Sequence, residues 1–151
     1  MLIFWVLLMN SKLNKILIAD DEEDLTWSIS KSLIKDNDLL EITCVNSGDE
    51  ALKVLETISI DLIITDIRMP GKNGLEILDQ IEKNYPHTKM IIMTAYGSPA
   101  IQEKVRNTKN AYYVEKPFDI HELKELIFNI KWNNKELKTS LNDECLDMFL
   151  N

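Results

Sequence analysis

Acidic residues, a threonine and a lysine follow the short apolar runs of this chain at intervals that suit one shared site. Asp20 and Asp21 stand at the end of the first run, and Asp66 ends the third. Thr94 ends the fourth run, and Lys116 follows the fifth. Clustered carboxylates repel one another strongly unless a cation joins them or one of them is protonated. If the fold brings these residues together, their chemistry therefore involves a cation.

The residue types favour phosphoryl transfer over other chemistry. Oxygen ligands favour a hard metal ion, and Mg²⁺ takes a few carboxylates, waters and phosphate oxygens, with Mn²⁺ as the alternative ion. A carboxylate such as Asp66 can act as a nucleophile and form an aspartyl phosphate. Lys116 offers a positive charge to phosphoryl oxygens, and Thr94 offers a hydroxyl donor. Taken singly, each residue has an ordinary structural explanation as a helix cap, strand end or surface charge, so only their joint placement indicates a site.

The elements that would position these residues alternate between strand and helix patterns five times. Asp61–Asp66 is the most hydrophobic run, which places it at the centre of the sheet. This alternation predicts right-handed βαβ units, a parallel sheet and helices on both of its faces. Ligands of such sheets bind beyond the carboxyl ends of the strands, where the candidate residues stand. The predicted strands are Lys15–Asp20, Glu41–Val45, Asp61–Asp66, Lys89–Thr94 and Ala111–Val114. The helical patterns are Asp24–Lys35, 47–58, 75–81, a weakly apolar stretch from Pro99 to about Arg106, and Ile120–Ile130.

Composition limits the class of protein. The 151 residues are 45% hydrophobic and 28% charged, which is typical of one soluble domain. Seventeen Lys and Arg against 25 Asp and Glu give a net charge of −8, which argues against direct nucleic-acid binding. Cys44 and Cys145 lie far apart, outside any metal-ligand spacing, and indicate free thiols in a reducing cytoplasm.

Both ends of the chain depart from the domain pattern. Met1–Met9 is apolar, but it is shorter than the ~20 residues of a membrane span and lacks the marks of a secretory signal, so no membrane partner is expected. Residues 1–10 are interpreted as an apolar extension, either packed on the domain or upstream of a natural start at Met9. Residues 11–131 form the predicted domain, and residues 132–151 a short helix or the stub of a linker.

Four segments together resemble one known family. ILIADDEEDL, DLIITDIRMPGKNGLEIL, IIMTAYG and YYVEKPFD are similar to the receiver domain of response regulators, the CheY-like superfamily. The resemblance covers about residues 14–130, and MTAYGS followed by KPFD is most similar to NtrC-type receivers. It implies an α/β fold of the flavodoxin-like, (βα)5 doubly wound type, with a five-stranded parallel sheet in the order 2-1-3-4-5.

The resemblance also implies a role for each residue of the acidic site. Asp66 would accept a phosphoryl group from a sensor histidine kinase or a phosphotransfer protein. Asp21, Asp66 and the backbone carbonyl of Arg68 would bind Mg²⁺ directly, while Asp20 would act mostly through water. Lys116 would bridge the acidic cluster and the phosphoryl group.

The same resemblance implies a signalling switch, without enzymatic action on a further substrate. Thr94 and Tyr113 match the switch pair, Gly74 matches the glycine of the loop after the phosphorylation site, and Lys116–Pro117 would be a cis peptide. The surface around the fourth helix, fifth strand and fifth helix would change and could form a homodimer. The downstream target is unknown, and the chain is interpreted as a stand-alone receiver or a piece of a longer regulator.

Two pairs of positions modify these expectations. Lys109 and Asn110 stand where the family commonly has Gly-Ala, and Asn tolerates the left-handed backbone that such a turn can require. Arg68 and Tyr96 lie two residues after Asp66 and Thr94. Both are large, and we hypothesise that they restrict water and prolong the phosphorylated state.

Three other functions are compatible with parts of the pattern. An Mg²⁺-dependent aspartyl phosphatase usually carries a second Asp two residues after the nucleophile, where this chain has Arg68. A flavodoxin-like FMN protein needs a phosphate loop after the first strand, where DDEED would repel phosphate. A degenerate docking receiver is disfavoured by the full set of Asp21, Asp66, Thr94 and Lys116.

Overall fold

The computed structural model describes residues 15–95 and 97–132. Within these residues, strands and helices alternate five times, as the sequence pattern predicts. The strands are β1 Lys15–Ala19, β2 Glu41–Val45, β3 Leu62–Asp66, β4 Lys89–Thr94 and β5 Ala111–Glu115. The helices are α1 Glu23–Asp36, α2 Gly48–Thr57, α3 Gly74–Asn84, α4 Pro99–Asn107 and α5 Ile120–Trp132.

The strands form one parallel sheet in the order β2-β1-β3-β4-β5, which confirms the predicted fold. β3 lies at the centre, and all five of its residues are buried. β1 and β4 are almost as deeply buried, which explains why their sequences are continuous apolar runs. Both edge strands are more exposed, because each has only one neighbouring strand.

Alternate residues of the central strands pack into cores on opposite faces of the sheet. On one face, Leu17, Ile63 and Ile92 share a core cluster with apolar residues of α2, α3 and α4. Their chain neighbours Ile18 and Ile64 are equally buried and face the other way. The central strands are therefore buried on both faces of the sheet, which leaves the ends of these strands as the place for chemistry.

Capping side chains fix where the helices begin near the carboxyl ends of the strands. The Ser47 hydroxyl accepts a hydrogen bond from the Glu50 N–H at the start of α2. Asn73 and Glu76 form a reciprocal capping box at the start of α3. α4 begins with Pro99 directly after its cap, Ser98.

The turn between α4 and β5 contains the backbone feature that the sequence suggested. Asn110 has φ +62°, in the left-handed region that Asn tolerates better than most residues. Its carbonyl accepts a hydrogen bond of 2.9 Å from the Met90 N–H, which starts the pairing of β5 with β4. The turn thus forms with an asparagine in the left-handed conformation.

The described residues divide into two compact units, which meet in sequence at Ile120 and His121. The sheet and the first four helices belong to the first unit. The described part of the second unit is the helical segment 121–132, in which Leu123, Ile127 and Ile130 are buried at helical spacing. No helix among the described residues is long and apolar enough to cross a membrane. The interpretations of residues 1–10 and 133–151 lie outside the described residues.

Candidate functional site

The carboxyl ends of β1 and β3 bring three aspartates together. Ala19 of β1 pairs with Thr65 of β3 in the sheet. The residues that follow them in the chain, Asp20 and Asp66, therefore lie side by side. Each of Asp20, Asp21 and Asp66 offers one carboxylate oxygen within 4.8 Å of the other two. Asp20 and Asp66 are buried, while Asp21 is exposed. The three form an oxygen-only donor set that could hold a metal cation, as the sequence predicted.

The Lys116 ammonium lies in the middle of this acidic group. Its Nζ donates hydrogen bonds to Asp20 Oδ2 at 2.8 Å, Asp66 Oδ2 at 2.9 Å and Glu22 Oε1 at 3.0 Å. Lys116 follows β5 at the edge of the sheet, and its backbone N–H donates to the Thr94 carbonyl at 2.9 Å. The Lys116–Pro117 peptide is cis, as the resemblance implied.

Burial and pairing act in opposite directions on the two central ionisable groups. Burial raises the pKa of Asp20, although hydrogen bonds from Lys116 and from the Glu22 N–H partly offset this effect. For Lys116, burial opposes the charged form, but the hydrogen bonds to Asp20, Asp66 and Glu22 outweigh it and hold the pKa above its usual range. Lys116 is therefore a permanent positive charge beside Asp66.

Asp66 is held at both carboxylate oxygens and lies beside an open cleft. Oδ2 accepts from Lys116, and Oδ1 accepts from the Arg68 N–H at 3.3 Å. The Arg68 side chain is exposed, and the predicted role of its carbonyl as a metal ligand stays a prediction. The cleft has a volume of about 600 Å³ and is lined by Asp21, Ile67, Arg68, Met69, Pro70, Gly71 and Asn73.

Gly74 brings the start of α3 against the end of β3. Its N–H donates to the Ile67 carbonyl at 2.9 Å, and a Cβ at this position would lie 2.5 Å from the Asp66 carbonyl oxygen. Only glycine permits this close approach without a shift of the backbone. The loop after Asp66 is thereby fixed to the strand that carries it.

The predicted switch pair lies on the neighbouring strands β4 and β5, with Thr94 at the end of β4 and Tyr113 in the middle of β5. Thr94 is fully buried at the end of β4. Tyr113 is half-buried, and its hydroxyl is buried without a hydrogen-bond partner among the described residues. A Cβ at Gly97 would lie 1.5 Å from that hydroxyl, so the absence of a side chain at Gly97 makes room for it. Tyr96, the proposed barrier to water, lies outside the described residues.

Glu22 is the functional contact that the sequence did not single out. It lies in the acidic run DDEED, in which five neighbouring residues have the same charge. Asp20, the first of them, contacts Lys116 from the end of β1, and which of the other four also reaches Lys116 depends on where α1 begins. Glu22 is the N-cap residue of that helix but makes no side-chain cap, which leaves its carboxylate for Lys116.

Comparison with known proteins identifies relatives of the whole described region. The family model described as the response regulator receiver domain matches residues 16–128. The DNA-binding transcriptional regulator NtrC of Klebsiella pneumoniae is 36% identical over 110 residues, which cover 73% of this chain. That alignment covers 23% of the NtrC chain, so this sequence spans about a quarter of the length of such a relative.

Solved structures of similar fold point the same way. A CheY-like response regulator receiver domain protein from Methanospirillum hungatei JF-1 has a TM-score of 0.71 and 28% identity, covering 78% of this chain and 93% of its own. The beryllofluoride-activated NtrC4 receiver domain dimer has a TM-score of 0.70 and 26% identity, covering 78% and 95%. The similarity to CheY-like and NtrC-type receivers that the motifs suggested is confirmed.

Proposed function

This chain belongs to the response regulator receiver domain family, and we propose from that premise that Asp66 is its phosphorylation site. The observation that carries the proposal is the contact of Lys116 Nζ with both Asp20 and Asp66, inside a cluster of three aspartates. A carboxylate that must act as a nucleophile needs a cation nearby to receive the charge of the incoming phosphoryl group. Lys116 supplies that charge at 2.9 Å from Asp66.

The proposed reaction is a direct phosphoryl transfer to Asp66. A carboxylate oxygen of Asp66 attacks the phosphorus of a phosphohistidine on a sensor kinase or phosphotransfer protein. The phosphorus–nitrogen bond breaks, its electron pair leaves with the imidazole nitrogen, and an acyl phosphate forms on Asp66. Lys116 donates a hydrogen bond to a phosphoryl oxygen, and the Thr94 hydroxyl donates another. Water later cleaves the acyl phosphate, so the domain acts as a switch and not as an enzyme on a further substrate.

We propose Mg²⁺ as the cation of the acidic cluster, with Mn²⁺ as the alternative. The support is the donor set, in which Asp20, Asp21 and Asp66 present hard oxygen ligands within 4.8 Å of one another. Asp21 and Asp66, with the Arg68 carbonyl, would hold the ion directly. Bound Mg²⁺ supplies positive charge to the phosphoryl oxygens during transfer.

The proposed output is a shift between two existing conformations of the domain. Thr94 would turn toward the phosphoryl group, and the Tyr113 ring would settle inward, changing the surface of α4, β5 and α5. A homodimer through these elements is the proposed assembly, and the similarity to the NtrC4 receiver dimer supports it. The proposed setting is the cytoplasm, with a protein as the downstream target and no direct contact with nucleic acid.

The test is chemical phosphorylation followed by intact-mass measurement. The protein is incubated with Mg²⁺ and acetyl phosphate, and we expect a gain of one phosphoryl group. The gain should be absent in Asp66→Asn and present in Asp38→Asn, which removes an exposed carboxylate of the α1–β2 loop. The proposal would be refuted if Asp66→Asn still gained a phosphoryl group, or if the wild type gained none with any small donor.

A further inference from the structure

The Lys116 ammonium has every one of its hydrogen atoms directed at a carboxylate. An ammonium carries three N–H donors, and the three acceptors lie 2.8, 2.9 and 3.0 Å away on Asp20, Asp66 and Glu22. The donors of an ammonium are arranged as the corners of a tetrahedron. When two of them have acceptors in fixed places, the direction of the third is determined.

The Asp20 carboxylate and the Glu22 backbone are held independently of the phosphorylation site. Asp20 is fully buried, and its second oxygen accepts a 2.9 Å hydrogen bond from the Glu22 N–H. The Glu22 backbone is fixed in turn, because its carbonyl accepts from the Leu25 and Thr26 N–H groups at the start of α1. The Glu22 side chain therefore extends from a rigid base, although 62% of it is exposed.

We infer that Glu22 is a positioning residue for the proposed phosphoryl transfer. With Asp20, it holds Lys116 so that the third N–H is aimed at Asp66, where the phosphoryl group arrives. Without Glu22, Lys116 keeps the buried contact with Asp20 but can rotate about it and exchange a donor to water. The inference rests on the proposed function of Asp66 and assigns a role to a residue that the reaction itself does not require.

The position of Glu22 in the helix supports this role over a structural one. N-cap residues are usually Ser, Thr, Asp or Asn, because their short side chains accept a hydrogen bond from the first turn. Glu22 occupies that position without making a side-chain cap. The neighbouring Glu23 is also acidic, but its carboxylate accepts from the Asn46 side chain at 3.1 Å. Among the described residues, Glu22 and Asp20 are thus the members of the acidic run that contact Lys116, and Glu22 is the one that lies outside the three-aspartate cluster.

Conservative variants distinguish the effect of the position of the Glu22 side chain from the effect of its charge. Glu22→Gln keeps the length and an acceptor oxygen but removes the charge. Glu22→Asp keeps the charge, but its carboxylate is one methylene shorter and is suited to cap α1 instead. Glu22→Ala removes the contact altogether, and Glu23→Gln is the matched control for a nearby lost charge.

The rate of phosphorylation is measured by intact mass with acetyl phosphate and Mg²⁺ both saturating. Asp66 takes the phosphoryl group from acetyl phosphate, and acetate leaves with the electron pair of the broken phosphorus–oxygen bond. We expect the maximal rate to fall about threefold in Glu22→Asp and Glu22→Ala, the size that fits loss of one largely exposed contact with Lys116. It should stay near the wild-type value in Glu22→Gln and Glu23→Gln, with the half-saturating donor concentration of Glu22→Asp unchanged.

The outcomes distinguish this inference from the function on which it rests. A role of charge alone would lower or raise the rate in Glu22→Gln and spare Glu22→Asp, which would overturn the positioning role. Equal rates in all variants would overturn it as well, while the wild type still became phosphorylated. Failure of the wild type to gain a phosphoryl group would instead remove the proposed function. Thermal unfolding of each variant shows that the fold is retained.

Discussion

At the scale of residues, the site combines strong repulsion among carboxylates with the compensating positive charge of Lys116. Burial makes the ionised form of Asp20 costly, and Asp66 adds a second carboxylate next to it. Lys116 relieves part of this cost through its contacts with both residues. A phosphoryl group or a metal cation would change this balance of charge directly, which supports the proposed role of the cluster as a switch.

Tyr113 carries a local cost of its own. A buried hydroxyl without a partner loses its hydrogen bonds to water and gains none in return. We expect Tyr113→Phe, which removes this hydroxyl and keeps the ring, to raise the free energy of unfolding by roughly 1 kcal/mol. Urea unfolding of both proteins measures the change.

Tyr112→Phe is the control for that measurement, because Tyr112 is its half-buried neighbour on β5 and its hydroxyl is not isolated in the same way. A loss of stability in Tyr113→Phe would show that the hydroxyl has a partner in solution. The close approach of Gly97 gives the hydroxyl its place, so the loop after β4 and the ring of Tyr113 depend on each other.

At the scale of elements, short segments at the strand ends determine the shape of the site. Glu22 lies at the start of α1, and the start of α3 is fixed by its capping box and by Gly74. The turn before β5 fixes the register of β5 against β4, and with it the position of Lys116. Each of these segments is held in place by a few identifiable hydrogen bonds. Because the sheet beneath them is rigid, these few bonds are sufficient to fix the positions of the side chains at the site.

The turn before β5 provides a prediction at this scale. Left-handed backbone costs residues with a Cβ free energy, while Gly adopts it freely and Asn at a lower cost than most. We expect Asn110→Ala to lower the free energy of unfolding by about 1 kcal/mol, and Asn110→Gly to leave it unchanged or raise it. Denaturant unfolding is the measurement, with Lys109→Ala as the exposed control without positive φ. Equal stability of Asn110→Ala and Asn110→Gly would contradict the assigned backbone strain.

At the scale of the whole molecule, the domain exposes a charged rim above a core that is apolar on both faces of the sheet. The net charge of −8 gives the chain a general attraction for cations, and within the part of the chain that the structure describes only the three aspartates are grouped closely enough to chelate one. Binding to the folded protein alone adds to its stability by mass action. Metal binding can therefore be measured as a change in the stability of the whole protein.

We expect Mg²⁺ to raise the stability of the wild-type protein by about 1.4 kcal/mol at ten times its dissociation constant. Thermal unfolding with and without chelator is the measurement, at matched ionic strength to exclude screening of surface charge. Asp21→Asn should lose the effect, because it removes the exposed ligand, whereas Asp38→Asn should keep it. The same Mg²⁺ response in both variants would show that the cation binds elsewhere.

The sequence by itself determined the fold and most of the residues at the site. Alternating strand and helix patterns and the apolar run Asp61–Asp66 predicted a parallel sheet with that strand at its centre. Because parallel strands end at a common edge, the residue that follows β1 and the last residues of β3 and β4 could be assigned to one place from the sequence. Asn110 was also identified correctly, since left-handed backbone depends on the residue type itself.

Only the tertiary structure decided the contacts among side chains. Lys116 is 96 residues from Asp20 and 50 from Asp66, and its reach to both depends on the order and stagger of strands that do not neighbour β5. Glu22 could not be chosen from the four acidic residues that follow Asp20, because the exact start of α1 selects which of them also faces Lys116. The packing of Tyr113 against Gly97 likewise depends on the height of a loop above the sheet. Sequence patterns determine which elements form, whereas distances of a few ångströms between their ends follow from packing of the whole domain.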